Sequence, residues 1–504
     1  MKNKEYDIAV IGSGFSGSLM ALGLDKLGYR VILIERGSHP RFAVGESSTP
    51  IADMILRDIA DRYDLDWLHH FSRYGSWQKH HPGITCGRKR GFSYYRHHPG
   101  ESFRTDERHA RELLVAASTD DQQSDTNWYR SELDAFLVSK VQEAGIDYVD
   151  QTTITSLDRT DGFWKMKAYY QKKLKTYSSN WIIDATGNGS LLWQLGVRSS
   201  DEHFKTHSSA VYSHFTDVKP WQSWLDDHGI SSRDYPYDPD WSALHHLLDE
   251  GWLWMLRFNN GITSAGLVLD GNQESRWSGN KEMIWQEVVG RYPSLTELFE
   301  EAAYAEQPGS LTATQRLQRR ADRIFGEGWV ALPHTAGFVD PLHSTGIAHT
   351  LSGVERLLYA FENRSLGSAS RNEYLFSYEK AVFNELHFID LLVDGCYKAR
   401  GNFELFSTYA MLYFMAAVCY EKKRISGSFD IEAHGFLSAN HPQLPTLIRE
   451  CHRELEQLVS ASDLTGKMVR SFRQKVQKAI EPYNTVGLLD PATPHMYEHT
   501  AADI

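Results

Sequence analysis

The run Gly12-Ser13-Gly14-Phe15-Ser16-Gly17 leaves the first forty residues little conformational freedom. It follows a short apolar run, Tyr6 to Ile11, and opens a stretch, Ser16 to Leu27, with helical spacing of small and apolar residues. A second apolar, β-branched run, Tyr29 to Ile34, ends in Glu35. Strand, glycine turn, helix and a strand ending in a carboxylate together make a dinucleotide-binding βαβ unit. Gly12 permits the tight turn, Gly14 lets the backbone approach a pyrophosphate, and Gly17 lets helix and strand pack closely. The helix N-terminus offers free N–H groups to the diphosphate, and Glu35 can accept from a ribose hydroxyl. This unit dictates an α/β class but leaves NAD and FAD both open.

Downstream, residues 146 to 184 alternate in short runs broken by turn residues, as in a β-meander feeding a last strand, Trp181 to Asp184. Strand-like alternation continues over 205 to 275. Trp329 to Leu332 reads as a strand, followed by a Gly- and His-rich turn and a helix from Gly346 to Phe361. From Arg371 onward helical periodicity dominates. With no repeat and no long Gly/Pro/Ser linker, the dinucleotide domain is expected in discontinuous pieces: residues 1–100, 101–215 with the meander, and 306–365. A sheet for substrate would occupy 216–305, and a helical region 366–504.

Several classes are disfavoured. A formal net charge of −12 without a Lys/Arg-rich block argues against nucleic-acid binding. Cys86, Cys396, Cys419 and Cys451 are scattered without CxxC spacing, which fits a reducing cytoplasm and no zinc site. The chain enters its first strand directly, with no secretory signal pattern. Leu405 to Tyr420 is the most apolar stretch, and it falls short of the ~20 residues needed to span a bilayer. A buried helix and no membrane association are expected. The pairs His69-His70, His80-His81, His97-His98 and His245-His246 suggest metal, but adjacent residues on a strand face opposite ways, so no metal is expected.

Further segments carry a family resemblance. Pro40 to Pro50, which includes Gly45-Glu46-Ser47-Ser48-Thr49-Pro50, then Asp184-Ala185-Thr186-Gly187 and Asp340 to Gly346, resemble the FAD-contacting segments of flavoprotein monooxygenases and halogenases. Cys86 to Tyr94 resembles the segment bearing the halogenase lysine. Gly251-Trp252-Leu253-Trp254-Met255-Leu256-Arg257 resembles the WxWxIP signature, with Leu256 for Ile and Arg257 for Pro. Pro333-His334 stands where the superfamily has Gly-Asp. The match spans roughly residues 5 to 420 and is nearest the phenol and pyrrole halogenases.

The resemblance implies FAD held by Gly12, Gly14, Gly17, Glu35, Arg41, Gly45, Glu46, Ser47, Arg130, Asp340 and Gly346. Halide, chloride or bromide, would bind at the backbone of Thr345 and Gly346. Reduced FAD and dioxygen would oxidise it to a hypohalous acid, which reaches Lys89. A lysine ammonium is a compact cation with rotatable donors, suited to holding that oxidant beside an electron-rich ring. Trp252 and Trp254 share a strand face and would wall flavin from substrate, or simply fill the core. His343 stands where tryptophan halogenases carry a glutamate, either as a general base or as a packing residue. The expected enzyme halogenates a small phenol or pyrrole, free or carrier-tethered, with reduced FAD from a separate flavin reductase. An FAD-dependent hydroxylase and a non-catalytic flavin-binding protein are the alternatives.

Overall fold

The computed structural model describes residues 5–170, 173–271, 280–363, 369–493 and 495–502. Two sheets organise it. In the first, strand Glu5–Ile11 lies between Lys173–Asp184 and Val31–Ile34, parallel to both. Asp147–Val149 extends one side and Trp329–Ala331 the other, again in parallel. The helix Phe15–Lys26 connects the first strand to Val31–Ile34. The expected meander is present: Thr152–Thr160, Phe163–Tyr170 and Lys173–Asp184 pair antiparallel in sequence order. Register aligns Ile11 with both Ile34 and Asp184, and Asp184 with Ala331. The residues following those four strand ends therefore gather along one edge, where open α/β sheets bind ligands.

Among the described residues the second sheet has nine strands and draws on more of the chain than 216–305. Its centre is the antiparallel set Ser208–Thr216, Thr263–Asp270, Gly251–Arg257 and Ala243–Leu247. Gly91–Arg96 then pairs in parallel with Ala243–Leu247, and Glu112–Ala116 and Met496–Tyr497 continue beyond it. Alternation along Gly251–Arg257 divides the core. Trp252 and Leu256 join the main cluster, while Leu253 and Met255 join a second one with Trp221 and Trp224. The alternating stretch ends at Asp270, and residues 272–275 lie outside the described residues.

Helices Thr345–Asn363, Ala369–Ala399, Phe403–Ile425, Leu444–Val459 and Gly466–Ile480 build the C-terminal region. The apolar helix is longer than expected. At 23 residues it is long enough and apolar enough to cross a membrane, but 89% of its apolar window is buried inside the protein. Its extra length comes from Phe403 and Glu404 at the start and a mostly charged last turn, Glu421 to Ile425, at the end.

Candidate functional site: a flavin cavity and a buried lysine

The sheet edge opens into a cavity of about 1050 Å³. That is at the upper end of the usual range for small-molecule sites, about 300–1,000 Å³, as a dinucleotide requires. Eleven of the residues picked from the sequence line it: Gly12, Gly14, Glu35, Arg41, Gly45, Glu46, Ser47, Arg130, Trp252, Trp254 and Gly346.

The glycine turn is sterically obligatory. Gly12 has φ +101°, and a Cβ there would sit 2.6 Å from the Ala185 carbonyl oxygen. Gly17 does not reach the cavity; a Cβ on it would lie 1.9 Å from the Gly12 oxygen, so its part is the close packing of helix on strand. Gly14 differs from both, since a Cβ would meet Arg130 Nη2 at only 3.4 Å. Glu35 Oε2 accepts from the Ser13 N–H at 3.0 Å, and Oε1 from the Gly37 N–H at 2.8 Å. Burial opposes its charge, but these bonds and Arg41 outweigh it, and the carboxyl lies below its usual range. Glu35 thus presents an ionised acceptor at the second strand end. Arg130 is fixed by Asp134 at 2.9 and 2.7 Å and donates to the Val44 and Gly45 carbonyls. Glu46 accepts from His214 at 2.7 Å.

Asp340 faces elsewhere. Its carboxylate accepts from Ser208 Oγ at 2.7 Å, Tyr397 OH at 2.8 Å and the Leu342 N–H at 3.0 Å. Burial lifts it to about 6 despite those bonds. Tyr397 OH also accepts from the Trp252 indole N–H at 3.0 Å, so the chain Trp252–Tyr397–Asp340 sets the indole's orientation. A Cβ on Gly266 would lie 2.2 Å from the Trp254 ring, so Trp254 lies directly over that glycine. Asp340, Thr345 and Gly346 line a second cavity of about 10 Å³ with His349, room for one water-sized species. The helix Thr345–Asn363 begins there. Arg257 points away from the flavin cavity, donating to Asp240 at 2.6 Å and to the Val218 carbonyl. Its charge is therefore paired outside the site. His334 lines the flavin cavity where the superfamily's acidic residue was expected, and burial holds it neutral at about 3.

Lys89 and His343 lie outside the cavity lining, in a closed aromatic region beside it. Cys86–Lys89 pairs antiparallel with Asp125–Trp128, placing Lys89 opposite Asp125. This ribbon is joined to the 46–48 segment by the Ser48 N–H to Thr126 carbonyl bond and the Trp128 N–H to Glu46 carbonyl bond, which together make the Ser47–Asn127 bridge. Lys89 has no solvent exposure. Its Nζ lies 4.0 Å from the Phe92 ring centre and 3.9 Å from Asp125 Oδ2. Burial lowers it to about 8, against the opposing pull of Asp125 and Asp53. His343 stacks on Tyr413 at 4.3 Å, and Tyr413 meets Phe92 edge-on. Burial holds His343 near 3, neutral at physiological pH, with Nδ1 unbonded among the described residues.

His245 connects the two regions. It lines the cavity, contacts Trp252 and stacks on Tyr94 at 4.6 Å. From the sequence it stood in a histidine pair just ahead of the tryptophan signature, with no role of its own. In the structure His246 turns the other way, to His97 Nε2 at 2.9 Å. Asp53 and Asp125 were also missed, since only strand pairing brings Asp125 to Lys89. Among the described residues Asp394, His452 and Glu456 cluster, and Lys398 pairs with the two carboxylates at 3.6 and 3.5 Å.

The fold and glycine cradle define an FAD-dependent oxidoreductase: the model of that family matches residues 7–238, and the cavity residues fit the cofactor. The tryptophan halogenase family model matches residues 127–399, and the chain belongs to that family of flavin-dependent halogenases. It is 29% identical over 428 residues to monodechloroaminopyrrolnitrin halogenase PrnC of Pseudomonas fluorescens, covering 82% of this chain and 72% of that one. It is 25% identical to tetracycline 7-halogenase of Kitasatospora aureofaciens, covering 98% and 90%. The crystal structure of halogenase PltM shares the fold with a TM-score of 0.86 at 23% identity, covering 97% of this chain and 99% of that one.

Proposed function

We propose that this halogenase acts on a small, electron-rich phenol or pyrrole, with Lys89 as the residue that delivers the halogen. The observation that carries the reading is a buried lysine with no hydrogen bond among the described residues, set on an aromatic ring beside the flavin cavity. Burying an unsatisfied ammonium is costly, and such groups concentrate at functional sites. When bound and reduced, FAD supplies with dioxygen the oxidation of chloride or bromide to hypohalous acid. Gly12, Gly14, Glu35 and Arg41 hold the cofactor, and the helix start at Thr345 and Gly346 offers N–H groups to halide. Trp252 and Trp254 keep the arene out of the flavin cavity, so oxygen is not passed to it directly. His245, neutral at about 3 by burial, lies between cavity and lysine and can relay the oxidant by hydrogen bonding. Neutral His343 serves as acceptor for the phenol or ring proton.

Reduced FAD comes from a separate reductase. A relative from Pseudomonas fluorescens, 23% identical, is a 1H-pyrrole-2-carbonyl-[peptidyl-carrier protein] chlorinase, which supports a carrier-tethered substrate as one form. The test is to combine the protein with a flavin reductase, NADH, FAD, bromide and a panel of phenols, pyrroles and indoles. Brominated phenols or pyrroles, recognised by bromine's isotope doublet, are expected. Hydroxylated products without the doublet would overturn the reading in favour of a monooxygenase.

A further inference from the structure

We propose that Asp53 and Asp125 share one proton and act together on Lys89 as positioning residues, anchoring its Nζ and accepting its proton when the amine must be free. The inference rests on Lys89 being the transfer residue. Lys89 and Asp125 are cross-strand partners, their side chains 0% and 4% exposed. Asp53 comes from the first turn of helix Pro50–Arg62 and accepts from Ser48 Oγ at 2.9 Å. Ser48 in turn donates its N–H to the Thr126 carbonyl beside Asp125, which brings the two carboxyls within each other's influence.

Both carboxyls are raised, first by burial and, for Asp53, next by the Asp125 charge. Two contacting carboxylates away from water cannot both ionise, so the pair carries one negative charge. That charge balances the ammonium. The other groups facing this cluster come from three directions. Arg57, on the Asp53 helix, faces both carboxyls, with Arg73 behind it. Glu421 and Tyr413, on helix Phe403–Ile425, face Asp125. From the second sheet come neutral His245 and the Phe92 ring.

The proton step is self-contained. An N–H bond of the ammonium breaks, its electron pair stays on Nζ, and an O–H bond forms on the pair. The products are a neutral amine and two protonated carboxyls. A positive and a negative charge vanish together, so the exchange is cheap in a dry site where either charge alone is penalised. Several buried polar atoms on the segments that carry these residues have no hydrogen bond among the described residues: Lys89 Nζ, Asp125 Oδ2, Thr49 Oγ1 and both amide atoms of Asn127. Native interiors seldom leave such atoms unmatched without a functional reason. Asn127 lies opposite Ser47 in a backbone bridge, and Ser47 lines the flavin cavity, so the strand that carries Asp125 runs beside the cofactor site.

The test titrates Lys89 directly in the full-length, FAD-bound protein. Lysines are labelled with 13C at Cε, and the Lys89 signal is the one absent from Lys89→Met. Asp125→Asn removes the nearest charge, so the Lys89 midpoint should fall by about one pH unit, a tenfold change in its proton affinity. Asp53→Asn removes the proton-sharing partner and confines the charge to Asp125, so the midpoint should rise by a similar amount. Opposite shifts support the pair, and a merely structural role gives none. An unmoved midpoint, or two shifts in the same direction, overturns it. Asp53→Asn alone decides the matter if Asp125→Asn does not fold. Halogenation by Lys89→Met would instead overturn the transfer role, whatever the titration gives.

Discussion

Replacing Lys89 by methionine should stabilise the protein while removing its halogenating activity. Lys89 is fully buried, and burial drops it from 10.5 to about 8. At ~1.4 kcal/mol per unit, the fold bears about 3 kcal/mol for keeping this ammonium charged at neutral pH. The sign follows from proton binding. The unfolded chain keeps the proton up to about pH 10.5, and the folded chain releases it near 8. Between those values the unfolded state binds more protons, so wild-type stability rises with pH, and below 8 this lysine contributes no slope. Methionine fills much the same volume without charge. It leaves the carboxyl pair without its cation, but burial already raises both carboxyls, so at mildly acid pH the pair can take a second proton at little cost. Equilibrium urea unfolding at pH 6 should therefore find Lys89→Met more stable than wild type by up to about 3 kcal/mol. The gap should close as pH approaches 10. Breaking a buried ion pair whose partner stays charged costs ~3–5 kcal/mol. A loss of that size in Lys89→Met would refute the reasoning and make Lys89 a structural counter-ion.

Three further outcomes are expected. Gly14→Val should fold, because Gly14 has φ −65° and a Cβ there meets only the side chains of Arg130 at 3.4 Å and Asp134 at 3.7 Å, yet FAD affinity should fall at least ~100-fold, about 3 kcal/mol; near-normal flavin titration of the folded variant would contradict the cradle. The isolated protein should oxidise NADH at no more than background rate and begin halogenating when a flavin reductase is added; rapid NADH consumption by the chain alone would point to a single-component hydroxylase. Because burial holds His343 near 3, the acid limb of the halogenation rate between pH 5 and 8 should be unchanged in His343→Gln, although the rate itself should fall; a limb near 6.5 that disappears in the variant would show a titrating imidazole.

The flavin half of the site was legible because its signals are local. A glycine turn between two apolar runs, with a carboxylate at the second strand end, needs no distant partner to be recognised. Lys89 was picked out by its flanks, but its burial is not legible in Arg88-Lys89-Arg90, which without those flanks reads as a solvated basic strand. In the structure Arg88 and Arg90 pair with Asp121 while Lys89 turns inward. Asp53 and Asp125 left no local mark, since a lone aspartate at a helix start or in a strand is ordinary. The second sheet was placed too narrowly for a similar reason. The parallel pairing of Gly91–Arg96 with Ala243–Leu247 joins distant segments, and only tertiary packing selects it. Reach to the cofactor was equally hidden: Asp340 sits in a flavin-like segment, but its bonds to Ser208 and Tyr397 turn it from the main cavity.

The most direct test of the account compares brominated product with oxygen consumed in wild type, Lys89→Ala and Lys89→Arg, each supplied with reductase, NADH, FAD, bromide and the phenol or pyrrole of the panel that wild type brominates best. All three should bind FAD and consume oxygen at similar rates, because Lys89 lies outside the flavin cavity lining. Lys89→Arg keeps the charge, but its planar guanidinium does not replace a compact, rotatable ammonium. Brominated product per oxygen should therefore fall at least ~100-fold in both variants, about 3 kcal/mol of lost transition-state stabilisation. Near-wild-type bromination by either variant would contradict the central claim that Lys89 delivers the halogen.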